Sequence, residues 1–156
     1  IDEIAAAGWF DRIVVEADGS KRLPLKVPAA HEPVVPAASD ALVSVAGLNG
    51  LGRPLDEDHV FRPGLWSELT GLAPGQAVGA ESLARAIVHA DGLTKGCPPG
   101  AHLALFLNRA DQPDRVQAAE RIVELLPTLA GRCPGRVVAG WLLPQPGVAA
   151  TALLTD

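Results

Sequence analysis

The sequence predicts an α/β fold, a three-layer sandwich on a mainly parallel sheet, and three observations lead there. Four short runs, "RIVVEA" (12–17), "ALVSVAGL" (41–48), "HLALFLN" (102–108) and "RVVAGWLL" (136–143), are continuously apolar, the pattern of strands buried on both faces. Helix-sized segments separate most of them, and strands alternating with helices imply parallel pairing through right-handed crossovers. The 156 residues, 48% apolar and 20% charged, suffice for one domain with a hydrophobic core.

In chain order, residues 2–9 are helix-like and 12–17 form the first strand, with its centre at 13–17. The connection from Gly19 to Asp40 carries neither helical nor strand pattern, and loops of that length are uncommon inside a compact domain unless functional or disordered. Its prolines (Pro24, Pro28, Pro33 and Pro36) restrict φ and favour an ordered, extended path. After the strand at 41–48, a short helix is expected beyond Pro63 through "GLWSEL". In "AESLARAIVHADG", Leu83, Ile87 and Val88 share a face and Gly92 is placed to stop the helix. In "PDRVQAAERIVELLP", Pro113 suits a first helical turn, and Val116, Ala119, Val123 and Leu126 make an apolar stripe. Trp9, Trp66 and Trp141 are expected in the core or at its boundary.

Charge and composition exclude several function classes. The net charge is −5 and the longest basic run is Lys21-Arg22, so the clustered cationic face of a nucleic-acid binder is missing. No apolar stretch reaches 18 residues, which excludes a helical membrane span. The acidic start "IDEIAAAGWF" is no signal peptide, and a cytoplasmic location is expected. Cys97 and Cys133 stand alone, which fits a reducing compartment and plain buried or loop thiols. There is no methionine, and Ile1 already opens a helix-like segment, so a longer protein is expected.

Ligands of parallel sheets bind beyond the carboxyl ends of the strands. Glu16 and Asp18 are two apart, so on a continuing strand they point to one side, and Gly19 permits a sharp turn or close approach. Such carboxylates suit Mg²⁺, a hard cation that keeps several waters. Lys21, Arg22 and Lys26 follow and can neutralise phosphate oxygens; the plainer alternative pairs these charges with each other on a solvated loop. "LNRAD" is similar to the N-K-x-D element that reads guanine, with Asp111 accepting from the base, Asn108 bracing the loop and Arg109 stacking. Equally, Asp111 caps the helix starting near Pro113. His31-Glu32 is too small a set for a metal site; it serves as an acid–base pair or, the favoured reading, a loop anchor. A phosphate loop, G-x-x-x-x-G-K-[ST], does not occur, so a nucleoside triphosphate would need a cradle upstream of Ile1.

One long stretch is distinctive. "VVEADGSKRLPLKVPAAHEPVVP" (14–36), followed in order by "LGRPLDEDHVFRP", "DGLTKGCPPGAHLALFLNRAD" and "RVVAG", resembles the YqeC family over nearly the whole chain. That resemblance implies a P-loop NTPase-like fold whose phosphate-loop segment lies outside this chain, and a part in maturing a selenium-dependent molybdenum hydroxylase. Glu16, Asp18 and Gly19 match the family's strand-end acidic motif, similar in placement to the Mg²⁺-linked acids of nickel-maturation GTPases. Lys21, Pro24, Lys26, His31, Glu32 and Pro33 match its signature loop. The implied cofactors are Mg²⁺ and a nucleoside triphosphate, GTP or ATP. The implied partners are that nucleotide and a molybdenum hydroxylase or its cofactor, with triphosphatase activity in the complete protein. The alternative is a non-catalytic carrier or chaperone that holds a molybdenum cofactor precursor or the target enzyme through the proline-braced loop.

Overall fold

The structure, a computed structural model, describes residues 1–154. Its elements are α1 (Asp2–Ala6), β1 (Leu25–Lys26), β2 (Ala41–Gly47), β3 (Val60–Phe61), α2 (Pro63–Thr70), α3 (Ala80–Val88), β4 (His102–Asn108), α4 (Pro113–Leu125), β5 (Arg136–Trp141) and β6 (Gly147–Leu153). The main sheet has the order β2-β4-β5-β6, with β2, β4 and β5 parallel and β6 antiparallel to β5. Three of the four expected strands therefore pair as the apolar runs required. The fourth member, β6, went unforeseen because "GVAATAL" is alanine-rich and takes its strand conformation from pairing with β5.

The core lies on one face of this sheet. Ala46, Leu105, Leu107, Val137 and Ala139 point into it and meet Leu83, Ala84 and Ile87 of α3 with Ala119 and Ile122 of α4. Trp66 of α2 is fully buried there, and its indole N–H donates to Ser82 Oγ at 2.7 Å. On the opposite face Val43 and Val45 of β2 are 57% and 59% exposed, and Val148 and Leu153 of β6 are exposed as well. The α/β architecture with its mixed sheet is consistent with the expected sandwich, although this second face is sparsely covered among the described residues. The one helix left over, α1, has five residues and buries none of them.

The first expected strand is a second correction. Residues 12–17 are not in a strand; Val14 is 96% exposed and the segment runs irregularly past the free edge of β2. β-branched composition favours a strand only when a neighbour supplies hydrogen bonds, and here a cavity lies between the segment and β2. Trp9, on the same segment, is 75% exposed rather than at the core boundary. The Gly19–Asp40 connection, read as patternless, contains β1, which pairs in parallel with β3 (Leu25↔Val60, Lys26↔Phe61).

Helix α3 also stops differently from expectation. It ends at Val88, His89 turns extended, and the Leu93 N–H returns to the Ala86 carbonyl at 2.9 Å. Gly92 is the residue that lets the chain pass so close, since a Cβ there would stand 1.9 Å from that carbonyl oxygen. Neither Cys97 nor Cys133 is in a disulfide. Among the described residues no helix is long and apolar enough to cross a membrane.

Candidate functional site

Two polar segments that lie far apart in the chain meet at the carboxyl ends of β2 and β4. Glu16, Asp18, Gly19, Lys26, Asn108 and Arg109 line one cavity of about 1290 Å³. This is the edge at which parallel sheets present ligand sites. Lys21, His31, Glu32 and Asp111, the other residues singled out from the sequence, are not in its lining.

The signature loop is held by a chain of four charges. Lys26 Nζ donates to the Asp18 carboxylate, to the Gly19 carbonyl at 2.7 Å and to Glu32 Oε2 at 3.0 Å. Arg62 grips Glu32 with both guanidinium arms, at 2.5 and 2.8 Å, a bidentate geometry lysine cannot supply. The Arg62 fork, with Lys26 beside it, holds the Glu32 carboxyl far below its ordinary range despite the opposing effect of burial. Glu32 in turn raises the Arg62 guanidinium. The Phe61 ring sits among three cations: Arg62 at 4.3 Å, Lys21 at 4.8 Å and Lys26 at 5.4 Å from its centroid. Lys95 Nζ braces the loop from the other side through the Ala29 and Ala30 carbonyls, at 2.9 and 3.3 Å. His31 stays largely exposed with its Nε2 3.7 Å from Glu32, so the anchoring is done by Glu32.

The loop after β4 is equally defined. Arg109 adopts a left-handed conformation (φ 68°), its N–H donates to Asn108 Oδ1 at 2.8 Å, and the Ala110 N–H reaches the Gly140 carbonyl at 2.9 Å. Asp111 does not cap α4: Gln112 holds that position without a side-chain bond, and Asp111 accepts from Arg115 Nη1 at 3.0 Å. Its own backbone N–H, then Arg115 and Arg109, keep the Asp111 carboxyl below the ordinary aspartate range.

As a metal site the arrangement is sparse. Among the described residues no group of three or more His, Cys, Asp or Glu could hold an ion. Asp18 is engaged by Lys26, and Glu16 faces the cavity beside Gly19. Two carboxylates fit Mg²⁺ only where phosphate oxygens and water complete its octahedron, which is how that ion is usually held with nucleotides. Reading the sequence missed Arg62, Phe61 and Lys95. Arg62 lies 30 positions from Glu32 and reaches it only because β1 and β3 pair, a contact without local signal.

The family model described as YqeC protein matches residues 1–64. A chain from Escherichia coli (strain K12), named Uncharacterized protein YqeC, is 32% identical over 126 residues, 81% of this chain. Both matches support a YqeC-like assignment for this chain. The chain spans about half of that YqeC relative, 49% of its length. Asp18, Lys26, Glu32 and Arg62 all fall inside the region matched by the YqeC model, so the charge network belongs to the part of the chain that carries the likeness. No solved structure matches the chain.

Proposed function

We propose that this YqeC-like chain forms part of a nucleotide-dependent maturation factor for a selenium-dependent molybdenum hydroxylase, with a P-loop NTPase-like fold. Its Mg²⁺–nucleotide site, for GTP or ATP, lies at the carboxyl edge of the sheet. The observation that supports this reading is the cavity shared by Glu16, Asp18, Gly19 and Lys26 from one segment and Asn108 and Arg109 from another. Glu16 is the available metal carboxylate, and Asp18 joins it where a phosphate draws Lys26 away. Lys21 supplies a further cation for phosphate oxygens, leaving the face of Phe61 to do so. Asp111 and Asn108 read the base, Arg109 lies against it, and His31 with Glu32 closes the loop. Mg²⁺ would supply charge neutralisation at the transferred phosphate.

Calorimetric titration of GTP and of ATP, each with and without Mg²⁺, tests the reading on a polypeptide that includes the glycine-rich segment the reading requires upstream of Ile1. Asp111→Asn should weaken GTP about tenfold or more and favour xanthosine triphosphate, because an acceptor becomes a donor. Equal losses for ATP and GTP, or none, would leave Asp111 as no more than the ion-pair partner of Arg115.

The mutual neutralisation of Asp18, Lys26, Glu32 and Arg62 favours a second reading, a non-catalytic carrier or chaperone whose rigid loop holds a cofactor precursor or the client enzyme. Asp18→Ala separates the two. A large drop in melting temperature with unchanged nucleotide affinity supports the carrier; lost affinity with an unchanged Tm supports the nucleotide site.

A further inference from the structure

We infer that the cavity between residues 12–17 and β2 is the seat of one additional β-strand, supplied by the part of the YqeC polypeptide outside the region matched here. The edge of β2 is prepared for it. Gly47 donates its N–H to the Pro24 carbonyl at 2.8 Å, a partner that does not belong to β4. Backbone groups along a strand alternate sides every residue, so the N–H and C=O groups of Val43 and Val45 point the same way as those of Gly47. Among the described residues no backbone bond outside the main sheet uses them.

The opposite wall is prepared as well. Ile13, Val14 and Val15 line the cavity together with Val43 and Val45, among polar residues that include Asp11, Arg12 and Ser44. A β-branched run 96% exposed at Val14 is out of place on a surface, and a strand between it and β2 gives both their missing partners. The chain matches 49% of the E. coli relative, so about half of that polypeptide is available as donor.

The inference concerns how the sheet is completed and stands apart from nucleotide binding; its test is run without nucleotide. Hydrogen–deuterium exchange is measured on the intact E. coli relative and on residues 1–156 alone. At the positions of the relative aligned with Val43 and Val45 and with alternate residues of 12–17, amides should exchange at least 100-fold more slowly than in the isolated chain, while amides of β4 and β5 are protected alike in both. Equal rates overturn the inference. Sedimentation of residues 1–156 addresses the other occupant: protection of the same amides that grows with concentration alongside a dimer would assign the edge to a second copy and overturn it too.

Discussion

Glu32 shows how one side chain sets the state of a whole loop. It receives Arg62 bidentately and Lys26 beside it, with its side chain mostly shielded from water. Glu32→Gln removes charge-assisted bonds and should cost about 2 kcal/mol in urea unfolding. The pH dependence follows from the direction of its shift. Its carboxyl titrates lower in the folded protein than in the unfolded chain, so its contribution is complete above about pH 4.3 and is lost as pH falls from there toward the folded value. Unfolding free energy measured from pH 5 to pH 2 should fall less steeply in Glu32→Gln than in the parent chain. At this scale the sequence was half legible. The loop's residue types announced charge and rigidity, whereas the partner of Glu32 was hidden in Arg62, which depends on β1 finding β3.

Helix α3 is the element on which most of the core turns, and its end is closed by backbone from two other places. The Leu93 N–H takes the Ala86 carbonyl at 2.9 Å and the Arg132 N–H takes the Val88 carbonyl at 3.0 Å, so the last turn needs no side-chain cap. Gly92 and Gly131 make both approaches possible, with a Cβ at Gly131 falling 2.1 Å from the Val88 oxygen. Gly92→Ala should destabilise by about 2–3 kcal/mol, since backbone must move to admit the methyl; chemical denaturation checks it. Ser82→Ala on the same helix strands the buried Trp66 indole N–H and should cost about 1–3 kcal/mol by the same measurement. Elements with strong periodicity, α3 and α4, were legible within a residue or two of their starts. Their ends and the strand β6 were not, because long-range pairing decides those and local propensity does not.

The molecule as a whole presents a sheet with helices on one side and apolar side chains bare on the other. Val43 and Val45 pair with Ala104 and Phe106 of β4, and Val148 and Leu153 continue the same face on β6. Val43→Lys with Val45→Lys should leave unfolding free energy within about 0.5 kcal/mol in urea unfolding, as for exposed positions generally. The same asymmetry explains the error over the first strand. Composition at 12–17 reported what the segment is suited to, and the structure shows that no partner strand reaches it.

The placement of the tryptophans equips this chain with two optical reporters that answer different questions. It has three tryptophans and no tyrosine to obscure them. Trp66 is sealed in the core, and Trp9 stands 75% exposed at the head of the segment bordering the β2 cavity. Iodide should therefore quench Trp9 most, the half-buried Trp141 less and Trp66 least, so that Trp9→Phe removes the largest share of the quenching and Trp66→Phe the most blue-shifted component. Emission from Trp66 then follows unfolding, while emission from Trp9 follows whatever comes to lie along the open edge of the sheet.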